Sequence, residues 1–266
     1  MNLRPYLAQM RGVIRVNFAY PARVWTGLLY GFFHIIPQVF VWRALYAGKD
    51  AVAGATLPEM LTYVVLSNLV GFVTWFNGAS YIEQRMKDGS IGLDLLRPVS
   101  MRGLFVAANL GDVATSLVMY GLPQTLLAIV LVGGIVAPVS WEAFGLFLLT
   151  TLLGMGVQIC WMLFLGTFSY WFINTWLMQW LLQASWKLLS GALVPLWLLP
   201  KWMLTIARLL PFQASQYTPV AVYLGRIPVS DVPRAILVQV GWIIGLLALH
   251  SLMWHRGIRR IVVLGG

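Results

Sequence analysis

Cysteine, histidine and acidic residues are all scarce in this chain of 266 residues. Cys160 is the single cysteine, which excludes a disulfide framework and a multi-cysteine metal site within one chain. The three histidines, His34, His250 and His255, are scattered and form no His-x-x-x-His pair that would favour zinc binding on a helix. The sequence therefore predicts no metal site.

Motifs of phosphate binding and of nucleophilic catalysis are also missing. The sequence has no Gly-x-x-x-x-Gly-Lys-[Ser/Thr] phosphate loop, so this chain is not expected to hydrolyse ATP in the usual way. Ser169 and Ser190 lack the Gly-x-Ser-x-Gly frame of a nucleophile elbow. Asp88 and Gly89 are not followed by the paired carboxylates of a metal-dependent phosphotransferase. We therefore expect no catalytic residue and no cofactor in this chain.

Charge is scarce as well, because only 10% of the residues are charged while 60% are hydrophobic. With a mean hydropathy of +0.81, this composition excludes an ordinary soluble domain and is typical of a multi-span helical membrane protein. The net charge of +10 comes from basic residues that lie mostly at the ends of apolar runs. Orientation in the bilayer explains that placement better than nucleic-acid binding, so no nucleic-acid partner is expected.

Six apolar runs predict transmembrane helices. An amphipathic helix over residues 1–20 precedes them and is expected to lie on the membrane surface, with an elbow at Tyr20 and Pro21. The predicted spans are 24–46, 57–78, 100–132, 141–168, 175–195 and 235–254. The predicted fold is therefore an all-α integral membrane protein, with a single transmembrane domain over residues 1–266.

Six spans place both termini on one side of the membrane. That side carries most of the basic residues, so the positive-inside rule predicts that it is the cytoplasm. These residues are Arg4, Arg11, Arg15, Arg23, Arg85, Lys87, Arg97, Arg102, Arg256, Arg259 and Arg260. The N-terminus has no short apolar core before a small-residue site, so no cleavable signal peptide is expected.

The most charge-dense segment, residues 80–102, lies between the second and third spans. Hydrocarbon cannot hold so many charges, so the segment is expected in water or against another protein. Its charged residues are Glu83, Arg85, Lys87, Asp88, Asp94, Arg97 and Arg102.

A short helix is predicted within this segment, between Gly89, which breaks the chain, and Pro98, which ends the helix. Ile91, Leu95 and Leu96 give that helix an apolar face. Exposed leucines on a short helix are typical of a docking element. A solvated loop between spans is the alternative that the residues leave open.

Residues 196–234 contain an apolar segment that is too short to span a membrane. Pro200 begins the segment and Pro211 ends it, with about ten residues between them, among them Trp202. The segment is predicted to be either a re-entrant hairpin or a lid in the membrane interface.

Polar residues within the predicted spans are few. Gln179, Gln183 and Lys187 fall at four-residue spacing, so they share one face of the fifth span. Packing between helices explains the glutamines equally well, but a lysine beyond the midplane costs up to ~2.5 kcal/mol or more on insertion scales. We predict that this face lines a cavity between two subunits, with Lys187 either in an ion pair across the interface or in the substrate path.

Three further polar residues receive structural interpretations. Asp112 lies near the cytoplasmic start of the long third helix, so we expect it to be solvated or paired with an arginine. His34 and Gln38 lie four residues apart on the first span, and a packing hydrogen bond between them is expected.

Taken in order, these segments resemble the permease subunits of the type 2 ABC exporter superfamily, in particular its six-span branch related to viologen and daunorubicin exporters. The resemblance rests on the amphipathic start, the loop that contains Leu95-Leu96-Arg97-Pro98, the proline-rich segment after the fifth span and the basic C-terminus that ends in Gly265-Gly266. It covers essentially the whole chain.

The resemblance implies a half-transporter of the bacterial plasma (inner) membrane. It would pair with a second permease, identical or different, and recruit separate cytoplasmic ATPase subunits that carry ATP and Mg. The residues that would dock on the ATPase are Ile91, Leu93, Leu95, Leu96, Arg97 and Pro98, and those of an extracellular gate are Pro200, Trp202 and Pro211. The alternatives from other classes are a multi-span membrane enzyme and a structural membrane subunit that does not transport.

Replacing both Leu95 and Leu96 with Asp is expected to release the ATPase while the chain still inserts into the membrane. Burying one leucine contributes roughly 1.5–3 kcal/mol, so two charges in this contact remove much of its apolar affinity. Co-purification of the ATPase from membrane extracts measures the effect. Unchanged co-purification together with unchanged export would contradict the docking hypothesis.

Overall fold

A computed structural model describes residues 3–74, 78–88, 92, 99–172 and 174–258. Helices account for most of the regular structure. They are α1 (Arg4–Ala19), α2 (Pro21–Leu45), α3 (Leu57–Thr74), α4 (Gly78–Lys87), α5 (Met101–Ser116), α6 (Leu122–Val132), α7 (Trp141–Gly166), α8 (Trp176–Leu189), α9 (Lys201–Leu209), α10 (Phe212–Ser215), α11 (Tyr217–Tyr223) and α12 (Val232–Ile258).

Within the described residues, five helical stretches are long and apolar enough to cross a membrane. They are Trp25–Leu45, Leu57–Thr74, Met101–Val132, Trp141–Tyr170 and Val229–Gly257. The segment predicted as the fifth span contains α8, which has 14 residues. At ~1.5 Å per residue α8 is ~21 Å long, which is shorter than a hydrocarbon core of ~30 Å. The prediction of a helical membrane protein is thus confirmed, while the number of six spans stays a prediction.

The long helix that was predicted from residue 100 to residue 132 consists of two α-helices joined by a π-helical turn, Leu117–Gly121. Ser100 caps its first turn as expected, since the Ser100 hydroxyl accepts a hydrogen bond from the backbone N–H of Gly103 at 3.3 Å. Pro123 follows the π-turn in the first turn of α6 and has no N–H to donate to the preceding helix. The turn widens the helix at this point.

Helix α1 lies along α5. The elbow between α1 and α2 falls at Tyr20, as predicted. The Tyr6 hydroxyl accepts a hydrogen bond from the backbone N–H of Ser100 at 3.0 Å, and Asn17 donates to the carboxylate of Asp112 at 2.8 Å. Asp112 is exposed. Its described hydrogen-bond partner is thus an asparagine of α1, and its solvation stays a prediction.

A small β-hairpin between α2 and α3 departs from the all-helical prediction. Strand β1 (Ala51–Val52) pairs antiparallel with β2 (Ala55–Thr56). Ala53 and Gly54 join the strands with φ values of 49° and 71°. Positive φ at both central residues is what a two-residue hairpin turn of this kind requires. The hairpin was difficult to predict from the sequence because alanine, at position 53, rarely adopts a positive φ.

Helix α8 connects the two ends of the helical bundle, which we call the α4 end and the hairpin end after the elements found there. At the α4 end, the Thr175 hydroxyl donates to the carboxylate of Glu83 at 2.6 Å. At the other end, the Tyr63 hydroxyl donates to the carbonyl of Gly191 at 2.7 Å. Arg226 also lies at the hairpin end, where it donates to the carbonyl of Gly54 at 2.6 Å. The short α8 thus reaches from one end to the other.

Helix α9 lies at the hairpin end, between Pro200 and Pro211. Ala207 is fully buried against the bundle, while Trp202 is 65% exposed and Leu209 is 72% exposed. The helix is amphipathic, and its outer face carries large apolar side chains. Such a face is typical of a helix that lies in a membrane interface.

A close contact between α7 and α10 holds the centre of the bundle. A Cβ added to Gly154 would lie 2.5 Å from the carbonyl oxygen of Ser215. Gln239 of α12 binds both helices, since its side-chain amide donates to the carbonyls of Thr150 at 2.9 Å and of Ala214 at 2.7 Å. Glycine at position 154 therefore sets the separation of these helices.

Gly154→Ala is expected to destabilise the protein by about 1–3 kcal/mol, because a backbone carbonyl must move to admit the methyl group. Gly145→Ala on the same helix is the matched control, since an added Cβ there meets nothing within 4 Å. Thermal unfolding in mild detergent compares the two variants. Equal melting temperatures would show that the close contact at Gly154 does not set the separation of α7 and α10.

Candidate functional site

A cavity of about 310 Å³ lies among α2, α3, α8 and the junction of α5 with α6. Glycines of α2 create the room for it. A Cβ added to Gly31 would lie 1.8 Å from the side chain of Gln124, and the amide of Gln124 donates to the carbonyl of Gly27 at 2.8 Å. Because Gly31 lacks a side chain, Gln124 can extend from α6 across to the backbone of α2.

Amide and imidazole groups line the cavity where α2 meets α3. His34 Nδ1 lies 3.1 Å from the side-chain oxygen of Asn68. The Asn68 amide donates to the carbonyl of Val64 at 2.8 Å and to Gln38 at 3.3 Å. The amide of Gln38 lies 3.4 Å from the His34 ring, so the predicted hydrogen bond between them is present. This network holds the polar wall of the cavity in place.

Lys187 of α8 also lines the cavity and is half-buried. Among the lining residues that the structure describes, it is the single Lys, Arg, Asp or Glu. Gln216 lines the same cavity, and its side-chain amide donates to the carbonyl of Ser67 at 2.8 Å. The oxygen of the Gln216 side chain is buried without a hydrogen-bond partner in the described part of the chain. The cavity therefore combines one cation with several neutral polar groups.

A second polar cluster lies at the α4 end and is centred on Glu83, which is 7% exposed. One carboxylate oxygen pairs with Lys87 at 2.5 Å. The other accepts hydrogen bonds from the Thr175 hydroxyl at 2.6 Å and from the Gln179 amide at 2.8 Å. Three donors thus compensate for the burial of this carboxylate. Together they tie α4 to the start of α8.

The pKa of Glu83 lies below its ordinary value. Burial raises this pKa, but the hydrogen bonds from Lys87 and Thr175 and the positive charge of Lys87 outweigh burial. The carboxylate is therefore ionised at neutral pH. The expectation that the charged segment 80–102 lies in water or against another protein is wrong for Glu83, because donors on α8 replace the water.

A family model described as ABC-2 family transporter protein matches residues 19–265. The chain belongs to this family. No match was found among curated proteins. The protein is thus a permease of a type 2 ABC transport system and a multi-pass membrane protein. Membership implies, in general terms, association with an ABC ATPase and dimerisation.

The residues predicted to act together on α8 of this ABC-2 permease occupy different environments. Gln179 is bonded to Glu83 at the α4 end, Gln183 is half-buried between the two clusters, and Lys187 reaches the cavity. In the proposed gate, Pro200 and Trp202 are exposed while Pro211 is buried. The predicted docking residues Ile91, Leu93, Leu95, Leu96, Arg97 and Pro98 lie outside the described residues.

Sequence reasoning did not identify Asn68, Gln124 and Gln216 as members of this site. Asn68 and Gln124 are isolated amides within apolar runs of the second and third predicted spans. An amide in such a run needs a partner inside the bundle, and this signal could have identified both residues. Gln216 lies between short helices of the segment 196–234 and carried no such signal.

Glu83→Gln in the ABC-2 permease is expected to reduce stability at neutral pH and to flatten its dependence on pH. Because the folded-state pKa is below the unfolded one, the ionised carboxylate stabilises the fold above about pH 4.5, and this contribution is lost as pH falls through the folded-state pKa. Thermal unfolding measured from pH 7 down to well below pH 4.5, where the carboxylate becomes protonated, measures both effects. The exposed Glu142, changed to Gln, is the control, and an identical pH profile for parent and Glu83→Gln would contradict the assignment.

Proposed function

We propose that this permease is one half of an ATP-driven exporter in the bacterial inner membrane. It pairs with a second permease and couples to separate cytoplasmic ATPase subunits. The cavity beside Lys187 forms part of the translocation path. The ATPase docks on the segment 80–102, which includes most of α4.

The observation that carries this proposal is that α8 joins the two polar clusters. Its first turn is bonded to Glu83 of α4, and Lys187, twelve residues after Thr175, lines the cavity. Twelve residues of helix extend ~18 Å at ~1.5 Å per residue. A displacement of α4 by the ATPase is therefore transmitted along one rigid helix to the wall of the cavity.

The topology that we propose has six crossings, including α8. The residues on either side of α8 extend the crossing of the membrane beyond the helix itself. Thr175 contacts the α4 end, and Gly191 contacts Tyr63 near the hairpin end. Short helices cross a bilayer where neighbouring protein satisfies their flanking backbone. The start of α1 and the end of α12 then lie at the α4 end.

The α4 end is assigned to the cytoplasm in this proposal. Its basic residues within the described part of the chain are Arg4, Arg11, Arg15, Arg85, Lys87, Arg102 and Arg256. At the hairpin end, Arg226 is engaged by the Gly54 carbonyl and by Glu59, at 2.6 and 3.3 Å. The described basic residues at the hairpin end are Arg43, Lys49, Lys201, Arg208, Arg226 and Arg234, so the α4 end has seven against six, a small excess in the direction of the positive-inside rule. Helix α9 and the proposed gate then face outward.

Isolation of the tagged chain in mild detergent tests this function. A second chain that carries a phosphate loop is expected to co-purify with it. In a Cys160→Ala background, Ser116→Cys places a thiol in the cavity wall, and its rate of maleimide labelling is expected to change when the ATPase is trapped with vanadate. Lys49→Cys, exposed between α2 and the β-hairpin and outside both the cavity and the predicted gate, is the control, with a rate that does not depend on nucleotide.

Two results would contradict the proposal. One is a purified chain without an ATPase under conditions that preserve its membrane insertion. The other is a cavity thiol whose labelling is the same in nucleotide-free and vanadate-trapped complexes. Either result would show that this permease does not undergo ATP-driven alternating access.

A further inference from the structure

We propose that α9 is a binding surface for anionic phospholipids, with Lys201 and Arg208 as the contacts of the lipid phosphates. The inference goes beyond the proposed function, because it does not depend on coupling to an ATPase. Two arrangements were predicted for this segment, a re-entrant hairpin and a lid in the membrane interface. The inference favours the second of them.

Helix α9 attaches to the bundle through one of its faces. Ala207 is fully buried, and Met203 and Leu204 are half-buried. The helices that α9 contacts are α8 and α10. The residues of this face follow one another at spacings of three and four, which place them on one side of a helix. The rest of the helix surface faces away from the bundle.

The surface that faces away from the bundle divides into two stripes. The apolar stripe consists of Trp202, Ile206 and Leu209, which are 65%, 42% and 72% exposed. The basic stripe consists of the exposed residues Lys201, Thr205 and Arg208. Each member of the basic stripe comes one position before a member of the apolar stripe. One position corresponds to about 100° around a helix of 3.6 residues per turn, so the two stripes lie side by side.

Adjacent stripes of this kind fit a helix that lies parallel to the membrane surface. The apolar stripe then enters the acyl chains, while the basic stripe faces the head groups. Lys201 and Arg208 are separated by ~10.5 Å along the axis at ~1.5 Å per residue. A helix that entered the membrane on end would place one of these charges deeper in hydrocarbon, where a charge is costly. The parallel orientation keeps both charges at the level of the phosphates.

The charges around α9 favour an anionic partner. Within the described part of the chain, the side chains of Lys201 and Arg208 form no ion pair and no hydrogen bond. Glu59, at the same end of the bundle, is paired with Arg226 instead. Residues 143–230 contain no Asp or Glu. Both cations of the basic stripe therefore remain available to an anionic group from outside the chain.

A second copy of this chain suits the surface less well. Two α9 helices in contact would bring four basic side chains together, and residues 143–230 supply no acid to separate them. Like charges in contact oppose association. An anionic lipid surface provides the opposite charge and strengthens binding roughly fivefold for each basic side chain near it. The apolar stripe also finds its counterpart in the acyl chains.

Quenching of a fluorophore by nitroxide-labelled phospholipids tests the partner. In a Cys160→Ala background, Ile206→Cys carries an NBD group within the apolar stripe of the permease in nanodiscs. Phosphatidylglycerol and phosphatidylcholine, each with a nitroxide on one acyl chain, are compared at equal fractions. We expect phosphatidylglycerol to bind at this position roughly fivefold more strongly, or better. Added salt is expected to reduce the difference.

Removal of the two charges tests the basic stripe. Lys201→Gln together with Arg208→Gln is expected to bring the ratio of the two affinities close to one. Phosphatidylcholine continues to quench, because the apolar stripe is unchanged, and this quenching shows that α9 still lies in lipid. Lys49→Gln together with Arg234→Gln is the matched control, since both residues are exposed at the hairpin end and the same charge is removed. This control is expected to keep the ratio of the parent.

Four results would overturn the inference. They are equal quenching by both lipids in the parent, a preference that persists in the Lys201→Gln and Arg208→Gln variant, and a preference that is lost equally in the control. The fourth is a fluorophore that neither lipid quenches, because protein would then cover the surface. If the double variant loses all quenching, each substitution is measured singly, and a ratio equal to that of the parent in both would also overturn the inference.

Discussion

The structure depends on the high free-energy cost of leaving a polar group without a partner in hydrocarbon. This permease places few ionisable side chains within its bundle, and each has a defined environment. Glu83 is surrounded by three donors. Lys187 faces a cavity that amide, hydroxyl and imidazole groups line. The same requirement explains why Gln124 donates to the backbone carbonyl of Gly27 on a neighbouring helix.

These two environments are joined by α8, and its shortness is part of the arrangement. A helix of 14 residues leaves its flanking residues free to bond with other elements. Thr175 bonds with α4 at one end, and Gly191 bonds with Tyr63 of α3 at the other. A rigid element held at both ends transmits displacement with little loss. A single helix, held by side-chain contacts, thus joins α4 to the cavity beside Lys187.

Small residues decide where the bundle is tight and where it is open. At Gly154 the missing side chain lets α7 approach the backbone of α10. At Gly31 the missing side chain admits Gln124, at Gly27 it admits Tyr120, and a cavity lies beside both. The same residue type therefore produces close packing in one place and a binding space in another. The outcome depends on whether the neighbouring helix places its backbone or a side chain against the glycine.

The sequence by itself determined the membrane class, the order of the helices, the cap at Ser100 and the elbow at Tyr20. These features depend on hydropathy, capping residues and proline within a few neighbouring positions, so they can be predicted from the sequence alone. Only the tertiary structure decided that Glu83 is buried, that Gln179 bonds with it and that the cavity beside Lys187 is formed by helices of one chain. Those outcomes depend on partners 92 and 96 residues away, as Thr175 and Gln179 are from Glu83. Local periodicity places a residue on a face of its helix, whereas packing decides which helix that face meets.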